Sequence, residues 1–596
     1  MHDDVHTLAK GSMMSLHHRR WPLVTAATTA ALIVLAACSA DPLDADPSAD
    51  VEGLAEAEAL VSEYPRAETV FTSGTQWGPP SSWNPIPQSG EATGVRGLLY
   101  EPLFEFDPAT LELEPWLAES GEWTDADTYV LTLRDGLTWQ DGEALDADDV
   151  VFTVELGKVP DVRWSNLWTW LTSATATDAT TVTFEFSDPR YQEWDNFLYT
   201  NSVLPQHIVS TWSEGDYNSN ANEDPIGSGP FRYSTHAQDR MVWERNDDWW
   251  GIEALGLEFP MRYVVDIVNP SNEVALGLLL QGGLDLSNNF LPGIQTLVGN
   301  GQVATYFDEA PYMLSANTAV LVPNATRAPM DDPEFRRALA FAIDVDKIVT
   351  NAYGGIVQKA HPTGLLPAYE ALYDKGVVAR HGFEHDVDEA GSVLAAAGYE
   401  DTDGDGFVET PSGDAIELSL IVPAGWTDWM EAARVIAEDL QAAGIDVTAE
   451  FPDSGAVDDA RSSGDFDLLI NNWSGLSNTP WTYYNYLFHQ PVRDLQLVGN
   501  FGRAEDAGAW ALVEQLSRTP SDSSDYAAVM GRLQELSLTQ MPMIPLWYNG
   551  LWAQYNTSVW ENWPTDGGGS TAYPSTWGGF WQMGGLRTLA ALQPAG

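Results

Sequence analysis

Apolar and polar positions alternate most regularly between Glu101 and Asp188. Tyr129, Leu131 and Leu133 alternate with Val130, Thr132 and Arg134, and Thr180–Phe186 repeats the two-residue period, so this stretch is predicted to be strands. Later the period changes. Phe335, Ala338, Leu339, Ala342 and Ile343 are spaced as one face of a helix, and Trp429, Ala433, Ile436, Leu440 and Ala443 form a second apolar stripe, closed by Gly444. Ile445, Val447 and Ala449 then alternate as a strand. Asp386 with Glu389 has the form of a capping box that opens a helix stopping at Gly398. Strands followed by helices in this half predict α/β layers.

The N-terminus has a pattern of its own. Arg19 and Arg20 precede an apolar run from Leu23 to Ala37, the arrangement of a secretory signal. The run is shorter than the roughly 20 residues a membrane-spanning helix needs. It ends Leu35-Ala36-Ala37-Cys38, which resembles a bacterial lipobox, and Cys38 is the only cysteine in the chain. Residues 1–37 are therefore expected to be a lipoprotein signal peptide, with Cys38 the lipidated N-terminus. Residues 38–65, rich in Asp, Ala, Ser and Glu, are expected to be an acidic flexible tether. The expected location is the cell envelope, lipid-anchored to the outer face of the cytoplasmic membrane.

Composition narrows the function. The 27 Lys and Arg face 87 Asp and Glu, a net charge of −60, which argues against nucleic acid and anionic lipid surfaces as partners. A single cysteine excludes a disulfide framework and a Cys-rich zinc site. The 25 Trp call for large aromatic cores or for surfaces that stack on flat ligands.

Motifs for catalysis are weak. His381-Gly382-Phe383-Glu384-His385 matches an H-x-x-E-H zinc-peptidase string, but Gly382 and the helix start at Asp386 place it in a loop. Asp401, Asp403 and Asp405, with Gly406, read like the opening of a calcium loop. Ser412 stands where the bidentate Glu would be, Glu409 is a substitute ligand, and an Asx-rich turn is the plainer reading. No nucleophile elbow, P-loop or dinucleotide fingerprint occurs. No catalytic residue is expected, and no cofactor apart from the calcium candidate.

Several segments together resemble one family. They are Tyr100-Glu101-Pro102-Leu103-Phe104, then LRDGLTWQDGEALDADDVVFTVE (Leu133–Glu155), PIGSGPFRY (Pro225–Tyr233) and Glu244–Trp250. FRRALAFAIDVDKIV (Phe335–Val349), AAAGYEDTDGDGF (Ala395–Phe407) and PMIPLWYNG (Pro542–Gly550) follow in order. The chain resembles the family 5 solute-binding proteins of bacterial ABC importers, the oligopeptide-, dipeptide- and nickel-binding group. The resemblance implies an α/β fold of two lobes around a ligand cleft (the periplasmic-binding-protein fold, type II, large form) that closes by a hinge. It implies a first lobe from 66–92, 195–310 and 537–596, an additional domain at 93–194, and a second lobe at 311–536. The implied partners are a small-molecule oligosaccharide or peptide and the permease subunits of an importer with their ATPases, the protein acting as a monomer and not as an enzyme. Asp141-Gly142 is read as a turn, and Asp344 as a cap.

Oligopeptide binders of the family pair an Asp with the peptide ammonium. The matching position here is Leu476, and Asn471–Tyr486 contains no acid. A buried cation without a counter-charge is costly, which disfavours peptides with free N-termini. The stretches Gln76–Pro85 and Trp547–Pro564 look like the branch that binds β-linked gluco-oligosaccharides such as cellobiose. The expected stacking residues are Trp77, Trp83, Trp473, Trp481 and Trp552, with Trp426 beside them. Asn84, Asn472 and Asn549 are the expected hydroxyl partners, and Tyr548 is expected to serve both roles.

Overall fold

A computed structural model describes residues 63–595 apart from 75, 270, 473–474, 568–572 and 574–583. Cys38, the signal peptide, nearly all of the tether, and Trp473 lie outside the described residues. Among those described, no helix is long and apolar enough to cross a membrane.

Two sheets carry the architecture. The first has seven strands in the order Ala304–Thr305, Gln554–Tyr555, Leu286–Ser287, Thr69–Ser73, Tyr263–Ile267, Arg240–Arg245 and Phe231–Ala237. Thr69–Ser73 runs parallel to both Tyr263–Ile267 and Leu286–Ser287 and is buried along its whole length, as a central strand covered on both faces must be. The second sheet has six strands in the order Gln358–Lys359, Ile544–Gly550, Ser315–Pro323, Leu468–Asn471, Leu418–Ile421 and Val447–Glu450. Its last three strands are mutually parallel, and Ser315–Pro323 is antiparallel to both its neighbours. The predicted alternation at 128–133 and 181–186 forms the middle of a separate four-stranded antiparallel sheet, with Tyr129, Leu131, Leu133, Val182, Phe184 and Phe186 turned inward.

The predicted helices form. Pro333–Ala342 buries Phe335, Ala338, Leu339 and Ala342, and Asp344 accepts from the Lys347 N–H to open Val345–Asn351. Thr427–Ala442 buries Trp429, Ala433, Ile436 and Leu440. Asp386 caps Val387–Ala397 through the Glu389 N–H, and Gly398 ends that helix in the left-handed region.

One expected boundary moves. The first lobe does not resume at 537, because Ile544–Gly550 is buried in the second sheet between Ser315–Pro323 and Gln358–Lys359. The chain returns to the first sheet only through 551–553 and Gln554–Tyr555.

Glu101 ties two of the family-like segments together, Tyr100–Phe104 and Glu244–Trp250. It is fully buried and accepts hydrogen bonds from three indoles: Trp116 at 3.0 Å, Trp249 at 3.1 Å and Trp250 at 2.9 Å. Burial pushes its carboxyl up to about 8, against the pull of those bonds. The folded protein thus holds a proton that the unfolded chain releases near 4.5. This contribution is complete below pH 4.5 and is lost as pH rises toward 8. Glu101→Gln keeps the acceptor and removes the proton, so its stability should fall less steeply than the parent's across this window. The difference should reach about 1.4 kcal/mol per pH unit. Denaturant titrations at pH 5, 6.5 and 8 measure it; parallel slopes for the two proteins would refute the assignment.

Candidate binding cleft

The cleft follows from where strands end. In the first sheet Thr69–Ser73, Tyr263–Ile267 and Leu286–Ser287 are parallel and finish at one edge, beside Ala304–Thr305. In the second, Leu418–Ile421 and Leu468–Asn471 finish at the edge where Ser315–Pro323 begins and Ile544–Gly550 ends. The two crossings, 306–314 and 551–553, join these two edges. Ligands in open α/β sheets sit outside the carboxyl ends of strands, and here two such edges are brought face to face.

Close contacts span the gap. The Trp77 and Trp426 rings are 5.2 Å apart, and Phe290 packs edge-on against Tyr353 at 5.3 Å. Asn272 donates to Asp428 at 3.0 Å, and the Asn288 side-chain amide donates to the Trp552 carbonyl. At Gly74 (φ 138°) a Cβ would stand 2.6 Å from the Asn288 side chain, so only glycine lets these two strand ends lie together.

The edges are lined with buried amides. On the first lobe Asn269 (both amide atoms), Asn288 (Oδ1) and Asn289 (Nδ2) have no hydrogen-bond partner among the described residues. On the second the same holds for Asn317 (Oδ1), Asn471 (Nδ2) and Asn549 (Oδ1); Asn317 lies opposite Asn549, and Asn471 lies opposite Val320 on the same central strand. Gln554 (Oε1), at the end of the second crossing, joins them. The set contains no lysine or arginine. An unpartnered buried amide is unfavourable, and a hydroxyl-rich, uncharged ligand would satisfy it.

The expected site residues divide. Trp77 and Trp426 are half-buried and meet across the cleft, and Asn549 lies in the amide set. Asn472 is half-buried, its backbone N–H held by Asn471 Oδ1 at 2.9 Å. Trp83 is only 2% exposed and packs on Tyr233 and His236, so it is core. Asn84 is spent on backbone: it donates to the Tyr217 and Asn220 carbonyls and accepts from the Ile86 N–H. Tyr548 donates to the Leu365 carbonyl at 2.7 Å and accepts from the His361 N–H at 2.9 Å, which leaves its hydroxyl no ligand role. Trp552 is buried against Phe290 and Tyr353, and Trp481 is buried at the start of Trp481–Phe488. Sequence reasoning did not single out Asn269, Asn288, Asn289 and Asn317 as candidates; the signal was an asparagine at or near the cleft end of a strand.

The metal candidates separate as well. His381 ends the Lys375–His381 helix while His385 lies beyond it, and Glu384 pairs with Lys359 at 2.7 Å, so no helix presents the zinc string. Asp401, Asp403, Asp405 and Glu409 do gather, each with an oxygen within 4.8 Å of the others. Their carboxylates already accept from the N–H groups of Gly404, Asp405, Phe407 and Thr402, as an Asx-rich turn requires.

Two α/β lobes joined by two short crossings around an amide-lined cleft make this a two-lobed solute-binding protein. The chain belongs to the bacterial extracellular solute-binding proteins, family 5, whose middle-region model matches residues 112–493. Members of the family are binding proteins. A solved Thermotoga maritima protein, described as a periplasmic oligopeptide-binding protein with mannohexaose bound, is 42% identical with a TM-score of 0.86, over 89% of this chain and 99% of that one. The oligopeptide-binding protein AppA of Bacillus subtilis is 25% identical over 79% of this chain and 84% of its own length. The periplasmic alpha-galactoside-binding protein of Rhizobium meliloti is 25% identical over 68% of this chain and 65% of its own.

The division between core and cleft indoles is testable. Trp83→Ala should destabilise the fold by about 3–5 kcal/mol, as for a large buried ring. Trp77→Ala should leave the melting temperature within a few degrees and weaken ligand binding roughly tenfold to hundredfold. Thermal melts beside calorimetric titrations distinguish the two, and a reversal of the pattern would exchange their roles.

Proposed function

We propose that this protein captures a neutral oligosaccharide, of the β-linked cello-oligosaccharide type, outside the cytoplasmic membrane and delivers it to the permease and ATPase subunits of an ABC importer. The observation that carries this reading is the set of buried, unpartnered asparagine amides on the two facing strand edges, beside the Trp77–Trp426 pair. Amides match sugar hydroxyls and indole faces match pyranose rings. Leu476, at the position where oligopeptide binders of the family hold an acid, is 2% exposed and offers nothing to an ammonium group. The mannohexaose in the Thermotoga relative supports the same reading.

Peptide binding is the second reading, favoured by the oligopeptide-binding names of several relatives. A thermal-shift panel separates them. Cello-oligosaccharides and mannohexaose should raise the melting temperature, by the equivalent of about 2.7 kcal/mol at a hundredfold excess over Kd. Peptides of three to nine residues should leave it unchanged. A shift with peptides alone would replace the sugar reading with the peptide one.

Anchoring is part of the proposal. Lipidation at Cys38 would tether the binding domain through residues 39–65, and the Asp401–Glu409 loop is at most a structural calcium site. Cys38→Ala should move the protein from the detergent-extracted membrane fraction to the soluble fraction. An intact mass that retains residues before Cys38 would contradict the anchor.

A further inference from the structure

The Thr427–Ala442 helix starts at the cleft edge of the second lobe, directly after Trp426. Asp428 in its first turn is buried, and its two oxygens take partners from different lobes. Oδ1 accepts from Asn272 Nδ2 at 3.0 Å, and Oδ2 accepts from the Tyr353 hydroxyl at 3.0 Å. Asn272 is the first residue of the Asn272–Leu280 helix of the first lobe, and its own N–H reaches the Gly425 carbonyl at 3.5 Å. The seam adjoins the Trp77–Trp426 contact and, like it, joins the two lobes.

We infer that Asn272 and Asp428 form a latch that holds the lobes closed over captured solute, with Tyr353 fixing the carboxyl in place. The inference rests on the cleft being the capture site, and it makes these three positioning residues.

The latch has a chemical signature. The groups facing Asp428 are the Tyr353 phenol, the Asn272 amide and the backbone N–H groups of Asp428 and Trp429. The charges on neighbouring elements are engaged or turned outward. Lys347 pairs with Glu438 and Asp439, Arg336 is held by the Met330, Gln540 and Met541 carbonyls, and Glu431 pairs with Arg434. Glu273 and Glu450 face solvent. No cation within ion-pair distance compensates Asp428 among the described residues. Burial raises its carboxyl to about 6 from an ordinary 3.8, partly offset by the bonds from Tyr353 and Asn272. Opening returns the carboxyl to water, so closing takes up a proton. The closed form is favoured fully at low pH, and the advantage is lost as pH rises through about 6.

Small-angle scattering of the ligand-free protein tests this apart from ligand identity. The ratio of compact to extended molecules should rise about tenfold between pH 7 and pH 5. Asp428→Asn, which preserves shape and an acceptor, should close equally at both pH values. Asn272→Ala should be more open than the parent at each pH while melting at the same temperature. A parent whose compactness ignores pH, or an Asp428→Asn protein that keeps the parent's pH response, would overturn the latch. Titration with mannohexaose then reads the consequence: a Kd about tenfold lower at pH 5 than at pH 7 in the parent, and flat in Asp428→Asn. Failure of the sugar to bind at either pH would count against the oligosaccharide reading, while the scattering result judges the latch.

Discussion

Everything about the cleft depends on two short chain crossings that join the same two sheet edges. The crossing at 551–553 is three residues long, and an extended chain covers about 3.3–3.6 Å per residue. The ends of Ile544–Gly550 and Gln554–Tyr555 therefore lie within roughly 14 Å of each other, four residue steps apart. The 306–314 crossing adds a second tie beside the first. Two sheets tied so closely at one edge can rock about the tie but cannot separate there. Residues at the carboxyl ends of the parallel strands are thereby turned toward the opposite lobe, as where Trp77 meets Trp426.

Some buried polar groups are satisfied at length: Glu101 takes three indole N–H bonds, and Asn84 spends both ends of its amide on backbone. Others are not: the indole N–H groups of Trp83, Trp170, Trp194 and Trp243 have no partner among the described residues. Among the described residues, every asparagine with an unpartnered buried amide atom except Asn201 lies on a cleft edge or in the 471–478 segment that follows one. Each such group costs about 1–3 kcal/mol if nothing satisfies it, against a whole-fold stability of about 5–15 kcal/mol. For the asparagines gathered on the two facing edges, closure over a ligand would recover that cost. The same logic applies to Asp428, a carboxyl with no cation whose cross-lobe partner is an amide.

The sequence was readable where the evidence was local. Alternation at 128–133, the stripe of Thr427–Ala442 and the caps at Asp344 and Asp386 depend on neighbours a few residues away, and each formed as expected. The site was only partly readable. Trp83, Asn84 and Tyr548 sit in Pro-, Ser- and Asn-rich stretches that look like surface loops, yet in a chain of this size such stretches also pass through the interior, where their polar atoms serve the backbone. Asn269, Asn288 and Asn289 were hidden for the opposite reason. Their role depends on the register of three parallel strands separated by up to two hundred residues, which no local pattern encodes. The misplaced boundary at 537 has the same origin, since Ile544–Gly550 reads as a strand in either lobe and only its partners decide.

The charge distribution completes the argument for a neutral ligand. The net charge of the whole chain is −60, and its exposed acids repel anions over roughly a Debye length, about 8 Å at physiological salt. A solute that carries no charge feels neither that field nor its screening. Under the proposed sugar reading, the affinity of a cleft of amides and indoles would be independent of the ionic strength that modulates self-repulsion on the outside. A peptide would bring two termini and ionised side chains to a site whose named polar groups are amides. Its ammonium would meet Leu476, and its carboxylate would meet no arginine or lysine among them. The buried carboxyl nearest the seam, Asp428, is turned toward Asn272 and Tyr353 rather than toward a ligand charge.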